Sequence, residues 1–477
     1  MLFTDIPTFW LFLGVVVVLS RLSLRLHEFN KIVLIFCSLI FFALYSLKDA
    51  ALFLCVASIN YAVLYVSLKT LDARVRVLLT ATIVWGDILI LLYFKYYEFA
   101  TVEIFGLSGL AKFGPGGELA PYSLLHFTGV ADRVWAPLAL SFYIFHLISY
   151  SVDIHKAKYP LAKPADFLLY VSFFPHLIAG PIVRGNELIP QFYVHNRAID
   201  WSGGLYYYAL GLFFKIAVAD GIASVIDPFW SANAAPFSTL EHWAVAILYS
   251  CQIYADFGGY SMMAIGIAKL LGYELPENFR APYIAATFSD FWRRWHITLS
   301  RFLRDYLYIQ LLGGSCRGRL REYINIMLTM LLGGLWHGAG WHFAAWGGMH
   351  GCALSIERLL GMRAEKRPLL ITLAWFLVVQ LTVVMTWVMF RSSDVSGALA
   401  FFKSMFLPTG EGGLRPELRD VLVLVVPVLL QHVSWALPPT IADRVGTPLW
   451  RGTLAGVLTV LSVVTDGGPR GFIYFNF

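Results

Sequence analysis

Charge is what this sequence has least of. Asp, Glu, Lys and Arg make up 14% of its 477 residues, against about a quarter in ordinary soluble domains. Apolar residues reach 58% and the mean hydropathy is +0.67. A soluble fold of this composition could not cover its surface with polar groups, so the chain is read as an integral membrane protein. Cysteine is also sparse. The five (Cys37, Cys55, Cys251, Cys316 and Cys352) show no pairing pattern, which argues against a disulfide framework. Four lie in apolar runs, where a free thiol behaves as a small hydrophobe. Cys316 lies in the polar loop "GGSCRGRLRE", where a plain thiol is expected and a reactive or lipid-modified one is the alternative. No His-Glu-x-x-His and no Cys-x-x-Cys occurs, so no metal site is expected. The net charge of +6 comes without a basic tail or a basic-aromatic module, so nucleic acid is not an expected partner. No internal repeat is found, which counts against repeat-built transporters.

What the chain does have is a succession of apolar runs with short gaps, read as a single all-α polytopic membrane domain over 1–477. A spanning helix needs roughly 20 apolar residues. The first candidate, "FWLFLGVVVVLS", follows Asp5 and precedes Arg21, Arg25 and Lys31. A secretory signal carries its positive charge before the apolar core. This segment is therefore expected to be retained, with the N-terminus extracytoplasmic. Spans near 32–47, 50–68, 77–94 and 134–152 follow. Their basic loops, "KTLDARVR" and "DIHKAKYPLAK", fall on the same side as the first, as cytosolic loops should. The Gly- and Pro-rich "FGLSGLAKFGPGGELAPYS" reads as an external loop. In "FLLYVSFFPHLIAGPIVRG", Pro175 and Pro181 predict a re-entrant or discontinuous segment, which membrane depth tolerates only inside protein or beside a cavity. Further apolar stretches near 204–226, 243–271, 322–336, 341–358, 369–390, 420–436 and 449–465 bring the expectation to about eleven spans plus re-entrant pieces.

Three stretches could carry chemistry. In "TFSDFWRRWHITLSRFLRDYLYIQ" (287–310), Trp292, Trp295, Leu299, Phe302 and Tyr306 recur at spacings of three and four, one stripe of a helix. Ser289 is the expected N-cap, with Asp290 in the first turn. Asp290 with Arg294, and Arg301 with Asp305, have the i,i+4 spacing at which side chains meet. The bland reading is a basic amphipathic helix in the membrane interface. The functional one is that Arg293, Arg294, Arg301 and Arg304 can pair with ligand phosphates. His296, beside the stripe, would more often be structural than catalytic.

The second stretch, "LLGGLWHGAGWHFAAWGGMHG" (331–351), holds His337, His342 and His350 and no Asp, Glu, Lys or Arg. Ionisable groups in such a setting are rare unless they serve a site. Steps of five and eight residues rotate by roughly 140° and 80° on a helix, so no single face collects all three. Gly333, Gly334, Gly338 and Gly340 around His337 permit close backbone approach or unwinding. The third stretch places Asp256 in an apolar run beside Gly258 and Gly259. A kink-stabilising acid bonded to Tyr or to freed backbone amides is expected there, with an orienting or proton-handling role as the alternative.

The ordered set "FFPHLIAGPIVRGNELIPQF", "YADFGGYS", "LPENFRAPY", "SDFWRRWHITLSRFLRDYLYI", "LLGGLWHGAGWHF", "WGGMHG" and terminal "FIYFNF" resembles the membrane-bound O-acyltransferase family, in particular its bacterial branch that includes the alginate O-acetylation membrane protein. The core motifs run from about 170 to 351, between flanking helices over 1–165 and 365–477. The resemblance implies a ring of helices around a thin centre, with a cytosolic funnel for an acyl donor. The family's key histidine in "LWHG" maps onto His337 and its partner in "WHxTLS" onto His296. His350 matches the family's "HG" and would help to build the site. His337 is then the expected general base, kept neutral by burial. His296 would orient acceptor or donor, or stabilise the oxyanion. The resemblance also implies acetyl-CoA as the donor substrate, with no bound cofactor and with its phosphates on the arginines. It implies an inner-membrane location and a separate extracytoplasmic SGNH-type acetyltransferase as partner. The polymer finally acetylated would be alginate, cellulose, peptidoglycan or another exopolysaccharide. A transporter or flippase and a noncatalytic scaffold of a polysaccharide export complex are the competing readings.

Overall fold

The computed structural model describes residues 3–23, 26–104, 111–113, 119–121, 137–194, 197–230, 238–315, 318–362, 368–407, 414–435 and 447–465. Cys316, most of the expected external loop and the terminal "FIYFNF" lie outside the described residues. Two compact units are present, one formed by Val15–Asn196 and the other by Leu2–Gly14 with Arg197–Phe477. Helix α1 (Ile6–Ser23) contributes to both.

In the first unit the helices are α2 (His27–Ala43), α3 (Leu47–Lys69), α4 (Ala73–Phe99), α5 (Leu140–His155), α6 (Pro164–Ser172), α7 (Phe174–Leu177) and α8 (Gly185–Leu188). A short antiparallel pair, Ala111–Phe113 with Leu119–Pro121, supplies the strands among the described residues. Helix α3 begins where Ser46 accepts from the Asp49 amide, and α4 where Asp72 accepts from that of Arg74, satisfying donors that a helix start leaves open. The segment with two prolines is broken, as its sequence predicts. Its freed backbone groups find side chains: the Tyr170 hydroxyl donates to the Val183 carbonyl (2.9 Å), and the Val183 amide donates to His146 Nε2 (3.1 Å). His176 Nε2 bonds the Tyr170 carbonyl at 2.9 Å. Such satisfaction is what irregular backbone needs away from water.

The second unit holds α9 (Trp201–Phe213), which runs on through a π-helical stretch (Phe214–Asp220) into α10 (Gly221–Ile226). It continues with α11 (Thr239–Leu270), α12 (Phe288–Arg294), α13 (Ile297–Phe302), itself extended by a π-helical stretch (Leu303–Leu311), α14 (Arg319–His337) and α15 (Trp341–Leu359). Helices α16 (Leu369–Arg391), α17 (Val395–Phe406), α18 (Pro416–Val421), α19 (Val425–Ser434) and α20 (Pro448–Val464) complete it. Helix α11 starts with a capping box in which Ser238 and Glu241 serve each other's backbone amides. It stays unbroken through Gly258–Gly259. Gly259 serves a helix crossing: a Cβ there would lie 2.7 Å from the Gly211 carbonyl of α9. Small residues let apolar helices approach this closely.

Among the described residues, four helical stretches are long and apolar enough to cross a membrane: Leu47–Lys69, Ala73–Tyr97, Trp201–Trp230 and Leu369–Arg391. Of the roughly eleven expected spans, these four meet length and apolarity on their own. A large apolar area also stays exposed on the helices, from Leu22 and Phe36 to Leu370, Leu430 and Val464. Exposure on that scale suits lipid better than water.

Candidate functional site

The 287–310 segment folds differently from the single helix its stripe suggests. Thr287, not Ser289, caps α12, accepting from the Asp290 amide at 3.0 Å. Ser289 instead gives its hydroxyl to Glu357 of α15 at 2.6 Å, and Glu357 also accepts the Phe288 and Ser289 amides. A buried carboxylate thus neutralises the start of α12, where the helix dipole favours negative charge. Helix α12 stops at Arg294, because His296 adopts left-handed backbone (φ 41°, ψ 55°) before α13 begins. The 3/4 spacing of apolar residues runs through this break without registering it.

Asn278, in the extended stretch between α11 and α12, holds the break. Its carbonyl accepts the Ile297 amide at 2.8 Å. Its Oδ1 accepts the Thr298 amide (3.3 Å) and the Thr298 hydroxyl (2.9 Å), and lies 3.0 Å from His296 Nδ1. Its Nδ2 donates to the Ser261 hydroxyl of α11 at 3.1 Å. His296 is fully buried, its ring edge-on to Phe257 at 4.6 Å and 6.0 Å from Trp336. Such burial among aromatic rings favours the neutral imidazole.

His337 ends α14, with a relative exposure of 3%. Trp336, Trp346 and Phe390 surround its ring edge to face at 4.8, 5.1 and 5.2 Å. His350, one face of α15 further along, stacks on Phe291 (5.9 Å) and meets Trp292 and Trp346 at 5.0 and 4.9 Å. Trp336 therefore bridges His296 to His337, and Trp346 bridges His337 to His350. His342 stands apart, half-buried in the first turn of α15 against Phe343. The glycines make this convergence possible: a Cβ on Gly334 would sit 2.3 Å from the Phe343 carbonyl, and one on Gly347 2.2 Å from that of Met330. Helices α14 and α15 cross backbone to backbone just before His337.

The arginines divide. Arg293, Arg301 and Arg304 line a cavity of about 560 Å³ together with Arg358 of α15, Trp292 and Tyr308. Arg294 is not among the lining residues and pairs with Asp290 at 2.8 Å, as its spacing predicts. Asp305 accepts from its neighbour Arg304 at 2.6 Å. Arg358 is in turn paired with Glu322 at 2.6 Å.

Asp256 finds a charged partner where the sequence suggested a Tyr or backbone amides. Its carboxylate pairs with Lys215 of the π-helical stretch at 2.6 Å, and Lys215 also reaches Asp220 at 2.7 Å. Lys215, Asn278, Glu357 and Arg358 are the residues that sequence reasoning missed. A lone lysine in the apolar run "GLFFKIAVAD" was a usable signal, since such charges need a partner. Asn278 stands inside a quoted motif, but nothing in its spacing points to His296. Among the described residues no cluster of three or more metal-ligating side chains forms.

Three buried imidazoles thus meet in an apolar, tryptophan-lined centre beside an arginine-lined cavity. Residues 155–390 match the membrane-bound O-acyltransferase family model, and the chain belongs to that family. It is 38% identical over 405 residues to the probable alginate O-acetylase AlgI of Pseudomonas putida, covering 83% of this chain and 79% of that one. It is 35% identical over 448 residues to the peptidoglycan O-acetyltransferase of Helicobacter pylori, covering 86% and 81%. A more distant relative is the teichoic acid D-alanyltransferase of Streptococcus thermophilus, 27% identical over 341 residues, covering 67% and 79%. The chain is accordingly an O-acyltransferase of the membrane, which sets aside the transporter and scaffold readings.

Proposed function

We propose that the chain takes acetyl from acetyl-CoA on the cytosolic side and passes it across the inner membrane for O-acetylation of a cell-surface polysaccharide. The helices would form the ring of about eleven expected for such a protein, with the N-terminus extracytoplasmic. The observation that carries the reading is the placement of His337: buried, at the end of a helix crossing, one tryptophan from His296 and one from His350. The names of the relatives, which specify alginate and peptidoglycan acetylation, support a polysaccharide as the final target.

In this reading His337 accepts the proton of the attacking hydroxyl as its oxygen bonds the thioester carbon. The carbon–sulfur bond then breaks, and the proton passes to the departing CoA thiolate. A base whose neutral form persists is suited to that exchange. The donor's phosphates meet Arg293, Arg301, Arg304 and Arg358, whose planar guanidinium groups match phosphate oxygens. His296 orients a reacting group, and His350 fixes the tryptophan wall. The extracytoplasmic step falls to a separate SGNH-type acetyltransferase.

The test is genetic. Cells lacking the gene are complemented with wild type or His337→Ala, and the O-acetyl content of the purified surface polymers is measured. Restoration by wild type and none by a normally inserted His337→Ala is the expected result. Equal restoration by both would remove His337 from the mechanism.

A further inference from the structure

The hydrogen-bond pattern around Asn278 decides which nitrogen of His296 can act. At ordinary precision an amide's oxygen and nitrogen are distinguished by their partners. Here the partner is unambiguous: the Thr298 backbone amide is a donor and points at Oδ1. The flipped amide would bring two N–H groups head to head. Its other end donates to Ser261, which also fits the assignment. The atom 3.0 Å from His296 Nδ1 is therefore a carbonyl-type oxygen, an acceptor without a proton to give. The neutral imidazole must answer with Nδ1–H. That leaves Nε2 with a lone pair, and among the described residues no side chain or backbone group bonds it, although it is fully buried.

We propose that Asn278 is a positioning residue that locks His296 in the Nδ1–H tautomer, so that Nε2 serves the reaction as a hydrogen-bond acceptor for an O–H or N–H of the substrates. This excludes the oxyanion-stabilising role considered for His296, because a neutral ring in this tautomer has no proton at Nε2 to offer a developing oxyanion. The same residue holds the left-handed turn at His296, its backbone carbonyl accepting the Ile297 amide and its Oδ1 the Thr298 amide. Backbone geometry and tautomer are thus set by one residue. The role in catalysis rests on the acyl-transfer reading; the tautomer does not.

The test begins with the full chain in lipid nanodiscs, labelled with ¹⁵N in its histidine rings, the His296 signals being assigned by their loss in His296→Gln. A pyrrole-type Nδ1 and a pyridine-type Nε2 are expected, and a protonated Nε2 in the folded wild type would overturn the proposal. Asn278→Asp keeps an acceptor at this position and should keep the Nδ1–H signature; its loss there would contradict the lock. Asn278→Leu removes the acceptor and should release the tautomer, with kcat falling about 10²-fold or more, as for other mis-set catalytic histidines. An unchanged kcat in Asn278→Leu would refute the positioning role. A KM rise confined to acetyl-CoA would assign the Nε2 contact to the donor, and one confined to the acceptor would assign it to the acceptor's hydroxyl. A wild type that turns over no acyl donor would fail the functional reading, while the spectrum would still decide the tautomer.

Discussion

Replacing Lys215 by methionine tests how the second unit tolerates charge in its interior. Its ammonium lies 2.6 Å from Asp256 and 2.7 Å from Asp220, and the Lys215 and Asp256 side chains are each 3% exposed. Removing the lysine takes the counter-charge from the buried Asp256 carboxylate, whereas Asp220, at 16% exposure, can rehydrate. Breaking a buried pair from one side costs about 3–5 kcal/mol, while replacing both partners with apolar groups is often neutral. Lys215→Met should therefore lose about 3–5 kcal/mol. The double variant Lys215→Met/Asp256→Leu should return to within about 1 kcal/mol of wild type. Equilibrium unfolding of all four proteins in mixed micelles closes the cycle, with an expected coupling above about 2 kcal/mol. A single variant within about 0.5 kcal/mol of wild type, or a double variant no better than the single, would refute the reasoning.

Other consequences follow from the same geometry. Gly334→Val should destabilise by about 3 kcal/mol or more, since its side chain would run into the Phe343 carbonyl. Gly348→Ala, with only ordinary contact to Leu331, should be tolerated, and thermal unfolding compares the two. Glu357→Ala leaves the Phe288 and Ser289 donors unmet. At about 1–3 kcal/mol for each buried donor left so, it should unfold at lower temperature than Glu357→Gln, which keeps an acceptor. Arg301→Ala should raise KM for a CoA thioester by about 10–100-fold with little change in kcat, the cost of one charged hydrogen bond, as read by steady-state kinetics.

Membrane character and family were legible in the sequence because both are summed over many residues: scarce charge, long apolar runs and seven motifs in order. The broken segment at Pro175 and Pro181 was legible because proline acts locally. The site was legible only as types of residue. His337 and His350 occupy different helix faces by rotation, and they meet through Trp346 because α14 and α15 cross at Gly334 and Gly347. The break at His296 escaped because a left-handed residue leaves the apolar spacing intact. The residues that organise the site act over separations that local spacing rules do not reach, 18 positions for Asn278 and His296 and 68 for Glu357 and Ser289. The partner of Asp256 was not legible because Lys215 lies 41 positions away on another helix.

The most direct measurement of the central claim is acetyl transfer from labelled acetyl-CoA by the purified chain in proteoliposomes, with the candidate extracytoplasmic partner enclosed. Wild type is expected to release CoA and deliver label to the partner or polymer. His337→Ala, folded and still binding CoA, is expected to fall by about 10²–10⁴-fold. Full turnover in that variant would contradict the assignment of the base, and a silent wild type with its partner present would contradict acetyl-CoA as the donor.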